Sequence, residues 1–291
     1  MTRSLCRLSC VPRVCFFPRL FSRRIVHAAW LALYLAPVLP AAAHEYWVQA
    51  TPYSAAVGAS SNLTLQFGEY YKGEITPFVL HRFTRFEHYS QAGKVDLEPR
   101  VPRGVELGRV PLAIDAPGTH MVAFDAAANY LTLPADKFFD YLHDEGLDNI
   151  NRIRAAMGHA SRPGRERYFR NVKTLLRGGG ASDATYAVQT GQRMELLPMS
   201  DPLAMKPGDT LALGLLFDGK PLAGALLKAW YKRNGQLTLI RAVSDAAGQV
   251  SVSLPWAGEW MLSVVHMIPS AGSVDQDWDS YWGNLSFELL P

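Results

Sequence analysis

From Tyr46 onward the apolar residues fall in short alternating runs, and Gly or Pro breaks them at intervals near ten residues. That rhythm restricts the chain to antiparallel β structure, because a strand buries every second residue and must reverse after a few of them. "NLTLQFGEYY" sets Leu63, Leu65 and Phe67 on one side and then meets Gly68. "APGTHMVAFD" is a turn followed by a strand in which Met121 and Ala123 alternate with His120, Val122 and Phe124. Near the C-terminus, "DGKPLAGALLKAWYK", "LIRAVSDAAGQVSVSL" and "AGEWMLSVVHM" are three strand-turn units, with Asp218-Gly219 and Ala247-Gly248 at the reversals. The expected class is mainly β: two antiparallel sandwiches of immunoglobulin or transthyretin type.

The middle follows a different period. "LPADKFFDYLHDEG" reads as a helix with Phe138, Tyr141 and Leu142 on one stripe and Gly146 at its end. "LDNINRIRAAMG" repeats the pattern with Leu147, Ile150, Ile153 and Met157. "RERYFRNVKTLLRGGG" fits a third helix carrying Tyr168 or Phe169, Val172, Leu175 and Leu176, with the triple glycine as a hinge back into β structure. The expected organisation is a signal over 1–43, a sandwich over 44–130, a helical insertion over 131–180 and a second sandwich over 181–291.

The first 43 residues hold six arginines and no acid, then the apolar run "AAWLALYLA", then "PVLPAAA". A basic start, a short apolar stretch and an A-x-A site form a secretory signal, and the run is too short for the ~20 residues that span a bilayer. Cutting after Ala43 puts alanine at both specifying positions, whereas cutting after Ala42 would put Pro40 at one of them. The basic stretch is long enough for translation to start further in than Met1. The expected product is exported, periplasmic and without a spanning segment. Removal of the signal takes six of the 29 Lys+Arg and none of the 26 Asp+Glu, leaving 23 against 26. It also removes all three cysteines, Cys6, Cys10 and Cys15, so disulfides and thiolate metal sites are excluded from the mature chain. Any metal must be held by nitrogen and oxygen.

The same cut makes His44 the first residue. A terminal histidine offers an α-amine and an imidazole, which lose their protons near neutrality and close a small chelate through the ring Nδ1. A second histidine would complete a brace suited to Cu(II) or Ni(II). His266, at the end of "WMLSVVHM", is the expected partner, although a lone strand histidine is more often a satisfied core residue. Asp275, Asp277 and Asp279 share a face if extended; the spacing is not an EF-hand, since Ser286 stands where a bidentate Glu is required. This cluster reads as a solvated loop with one carboxylate turned inward. Asp277 and Glu69, which follows Gly68 at a strand end, are the expected oxygen donors.

His81 and His88 read as surface, His120 is ambiguous, and His143 and His159 lie near helix ends where capping suffices. From Arg152 to Arg177 there are eight Arg/Lys and one acid, Glu166. That run reads as a solvated helix face, with contact to an anionic lipid or acidic partner as the alternative. A net-acidic exported chain is not expected to bind nucleic acid. Trp256, Trp260, Trp278 and Trp282 could form a sugar-binding surface, against which stands plain core packing. No G-x-S-x-G, H-E-x-x-H, Walker or dinucleotide motif occurs.

Several strings occur in one order: "AHEYW", "LPADKFFDYLHDEGLDNI", "GRERYFRNVKTLL", "MELLPMSDPLAMKPGD", "LFDGKPLAGA", "SDAAGQV" and "HMIP…DWDSYWGNLSFEL". Together they resemble a family of exported bacterial proteins of unknown function described as NikM-like and associated with nickel uptake. The resemblance implies a periplasmic accessory to nickel or cobalt uptake, with a histidine after the signal and a second in the late "HM" strand, matching His44 and His266. It carries no catalytic residues. The leading expectation is a non-enzymatic protein that binds a divalent transition metal (Ni, Co or Cu) for delivery to a transporter in the envelope. The alternatives are an envelope adhesion module recognising glycan or protein, and a copper oxidase built on the brace.

Overall fold

The computed structural model describes residues 44–103, 108–233 and 236–291. The expected signal, its cleavage site and the three cysteines lie outside the described residues. The N-terminal part supplies β1 (Glu45–Thr51), β2 (Ser54–Ala55), β3 (Ser60–Glu69), β4 (Lys72–Thr76), β5 (Phe83–Ser90), β6 (Gly93–Asp96), β7 (Arg109–Ala113) and the long β8 (Gly118–Leu133). Two helices follow, α1 (Ala135–Asp144) and α2 (Asp148–Ala156), then β9 (Gly164–Gly178). The remainder is β10 (Met194–Pro198), β11 (Thr210–Phe217), β12 (Lys220–Pro221), β13 (Leu226–Arg233), β14 (Gln236–Val243), β15 (Gln249–Ser253), β16 (Gly258–Pro269) and β17 (Trp278–Leu289).

Among the described residues these strands make three sheets. The largest has the order β14-β13-β16-β17-β9-β8-β5-β6, with β2 pairing β9 at one end. A small sheet of β1, β3, β4 and β7 covers part of one face, and a second of β10, β11, β12 and β15 covers part of the other. The mainly β, sandwich-type class is thus present, with two sandwiches that share their middle sheet. β9, which falls in the expected helical insertion, joins the two expected β regions in it, pairing antiparallel with β8 on one side and parallel with β17 on the other.

The alternation of side chains decides which core each residue enters. On β8 and β9, Val122, Phe124, Val172 and Leu176 pack beneath the N-terminal sheet with Val48, Leu63 and Leu65. Met121 and Leu175, one residue away, enter the opposite core with Leu213, Trp260, Leu262, Tyr281 and Phe287. The two helices cover the first face beyond the small sheet, where Phe138, Tyr141, Leu142 and Ile150 meet Val265, Met267, Trp278 and Trp282.

Both expected helices form, and Gly146 ends α1 at φ 73°, where its N–H reaches His143 O (3.0 Å). The third does not. Residues 164–178 are a central strand paired to β8 on one side and β17 on the other. This strand is largely buried on both faces yet carries charged residues on each. Its apolar residues Tyr168, Phe169, Val172, Leu175 and Leu176 therefore do not alternate but fall three to four apart, which satisfies a helical template. Thr174, Val172, Tyr168 and Phe169 favour the pleated conformation, and tertiary pairing decided it. The basic run therefore is not a solvated helix face: Arg154, Arg170 and Lys173 are buried. Of the two readings of the tryptophans, core packing holds: Trp260, Trp278 and Trp282 are core residues and Trp256 is half-buried against Tyr231.

Candidate functional site around His44

β1 lays the start of the described chain across the first face of the central sheet. Its backbone is held from below: Thr174 Oγ1 donates to Val48 O (2.7 Å), Ser286 Oγ donates to the same oxygen (3.0 Å), and Arg170 Nη1 donates to His44 O (2.7 Å). Register with β3 sets Glu45 opposite Gly68 and Tyr46 opposite Phe67. The His44 ring stacks on Phe67, centroids 4.5 Å apart and 12° from parallel, and Nε2 stands 3.5 Å from Glu69 Oε1. So His44 is pinned at its carbonyl and on its ring, while its side chain stays 44 % exposed.

The Glu69 contact has a chemical consequence. A carboxylate beside Nε2 favours the tautomer with its proton there, which leaves the lone pair on Nδ1. That is the nitrogen a terminal amine needs for chelation. Glu69, expected as an oxygen donor, thus stands where it orients the ring instead.

His266 does not join them. It projects from β16 with Leu262 and Val264 into the opposite core, 4.5 Å from Phe217, and its cross-strand neighbour is Tyr281. Burial holds its pKa below the ordinary value, with Asp218 pulling it the other way. His44 and His266 occupy opposite faces of one sheet, so a two-histidine brace cannot form from them, and copper oxidase chemistry built on that brace loses its basis. Asp277 is taken up by Arg165 in a bidentate pair (3.0 and 2.7 Å), which holds its carboxyl below the usual range. Asp279 is the member of the acidic trio that turns inward, gripped by Arg167. Among the described residues no three His, Asp or Glu side chains are grouped closely enough to hold a metal ion.

Under His44 lies a cavity of about 210 Å³ lined by Phe67, Tyr141, Glu166, Arg170 and Trp282. Glu166 is 1 % exposed; its Oε1 accepts from Tyr141 (3.1 Å) and from Ser280, while Oε2 has no hydrogen-bond partner among the described residues. Burial pushes its pKa up to about 7, against the opposing pull of Ser280, Tyr141 and Arg170. Next to it, Glu45 points into the sheet, where Ser263, Asn284 and Lys228 meet its carboxylate, and Lys228 also reaches Glu145 (2.5 Å). Lys228 therefore ties the first strand to the end of α1.

Sequence reasoning missed Glu45, Glu166, Arg170 and Lys228. Reading "GRERYFRNV" with a period of two would have put Glu166, Tyr168 and Arg170 on one face; the helical reading keeps Glu166 and Arg170 together but turns Tyr168 away from them. His88, expected at the surface, is 5 % exposed, with its ring parallel to that of His120. His120 Nε2 donates to Ala116 O (2.9 Å), so its Nδ1 is free to accept from His88 Nε2 (2.9 Å).

No curated protein matches the sequence. Solved structures give faint likenesses. Escherichia coli alpha-2-macroglobulin activated by porcine elastase is 10 % identical over 86 % of this chain, with a TM-score of 0.22. The chain spans about a fifth of that protein, 20 % of its length. The Clostridium thermocellum CbhA fibronectin(III)-like modules are 9 % identical over 84 % of this chain and 94 % of theirs, TM-score 0.19. Chicken CNTN1 FN1-FN3 domains give 9 %, 84 % and 63 %, TM-score 0.19. Likenesses this faint carry no information on ligand or partner. The family match is of another order, spanning residues 41–268 and so starting at the expected end of the signal: the chain belongs to the family described as a domain of unknown function, DUF4198.

Proposed function

We propose that the chain, exported and cut after Ala43, is a non-enzymatic accessory protein that holds one divalent transition ion (Ni, Co or Cu) on its first residue for a transporter in the envelope. The amine and Nδ1 of His44 are the donors; Glu69 orients the ring from Nε2. One observation carries the reading: His44 is fixed by Arg170 at its carbonyl and by Phe67 at its ring, with a carboxylate 3.5 Å from the nitrogen that the chelate does not use. Metal-binding histidines commonly present their second nitrogen to a carboxylate in this way. A nitrogen pair of this kind favours Cu(II) and Ni(II) over the harder divalent ions. Among the described residues no helix is long and apolar enough to cross a membrane.

Mass mapping of the secreted protein, combined with a Cu(II) titration, tests this. The expected result is His44 as first residue and one ion bound per chain. A first residue elsewhere, or no binding by a chain that does begin at His44, overturns it.

A further inference from the structure

Arg170 stands at the wall between two cavities. The one beneath His44 has been described; the other, about 340 Å³, opens on the far side of Phe67 and Tyr168, beneath the N-terminal sheet. The charges around this second cavity do not balance. Arg170 and Arg82 both line it, and no acidic residue does. Arg170 is 7 % exposed, and among the described residues it makes no ion pair, its hydrogen bond going to the neutral carbonyl of His44. Its guanidinium instead lies against ring faces, 5.2 Å from Tyr46, 5.1 Å from Tyr168 and 5.9 Å from Phe67. Arg82 is exposed and likewise makes no ion pair among the described residues.

A buried cation is normally paired, because removing it from water costs several kcal/mol that ring faces recover only in part. Here two guanidinium groups that make no ion pair among the described residues border a cavity of the size that small-ligand sites occupy. Much of the remaining wall is aromatic, from Phe67, Phe83, Phe124 and Tyr168, with the polar Thr76 and Asn129 beside it. A planar guanidinium presents paired N–H groups that match a carboxylate. We propose that this cavity binds a small organic carboxylate with a flat apolar body, its anionic end between Arg170 and Arg82 and its body against the aromatic wall. The site is separate from the nitrogen donors of His44 and does not depend on them.

The test uses benzoate, titrated calorimetrically into the full mature chain in the presence of a chelator, with benzamide and inorganic phosphate as comparisons. Benzoate should bind saturably at one per chain, and benzamide, which has the shape without the charge, should bind at least about tenfold more weakly. Arg82→Gln, at an exposed position, should leave the fold intact and weaken benzoate about tenfold; Arg170→Gln should abolish binding. Absence of saturable benzoate binding, equal binding of benzamide, phosphate binding in preference to benzoate, or benzoate affinity untouched by Arg82→Gln would each overturn the proposal.

Discussion

The two faces of the central sheet treat buried charge differently. Beneath the C-terminal sheet, charges close in pairs: Lys173 with Glu195 (2.6 Å) in the core and the buried Asp279 with Arg167 in a bidentate pair, while Arg193 grips Asp218 in the same way at the exposed rim. Beneath the N-terminal sheet and the helices they do not. Lys228 is shared by two carboxylates, Glu166 keeps a bare oxygen, and Arg170, which shares a cavity with Glu166, makes no ion pair among the described residues. Closed pairs explain themselves as parts of a core. Open ones are costly to maintain, and they gather near His44 and the two cavities, which is the distribution expected of a binding face.

The largest effect that would sharpen this contrast is at Lys228. Lys228→Met should cost about 3–5 kcal/mol in urea unfolding at pH 7, since Glu45 and Glu145 are then left buried without their cation. Lys173→Met should cost less, because Glu195 keeps donors from the Thr190 and Gly191 backbone and from the Thr190 hydroxyl. Equal costs at the two positions would break the distinction between the faces.

Two titrations on the open face come next, with opposite signs. Glu166 has its pKa raised from 4.5 to about 7, so the folded chain holds a proton there that the unfolded chain has lost between those values. Its contribution to stability is complete below about pH 4.5 and is lost as the pH rises through 7. Glu166→Gln should therefore match the parent at pH 5 and exceed it at pH 8, by at most about 3 kcal/mol; the same offset at both values would contradict the assignment. His88 is pushed down to about 4 by burial, and by His120 second. Here the unfolded chain holds the extra proton, so stability is complete above pH 6.5 and falls as the pH drops toward 4. Replacing His88 with Phe should flatten that fall by up to about 3 kcal/mol, whatever the variant does to stability at pH 8.

The smallest effects concern the residues that sequence reasoning grouped with His44. Glu69→Gln should weaken metal binding about tenfold by loosening the ring, whereas His266→Ala should leave it unchanged. A loss on His266→Ala comparable to that on Glu69→Gln would put the two faces in contact after all.

What the sequence made legible follows from how much of each element shows in a single period. The sandwich class could be read because β3, β8 and the C-terminal strands alternate against turn residues, as at Asp218-Gly219, where both φ values are positive. The helices could be read because Phe138, Tyr141 and Leu142 share one stripe. β9 could not, since both its faces are buried, and with it went Glu166 and Arg170. His44 was visible from the cleavage pattern and Glu69 from the glycine before it. The partner assigned to them failed for a simple reason: "WMLSVVHM" shows which residues share a face with His266, but not which face of the sheet that is.

The central claim is that the terminal residue itself is the ligand, and a single added residue tests it. The mature chain beginning at His44 and the same chain carrying one extra N-terminal alanine are titrated with Cu(II) side by side. The account predicts one tightly held ion on the first and none on the second, since the extension converts the amine into an amide. Equal binding by both chains would contradict it.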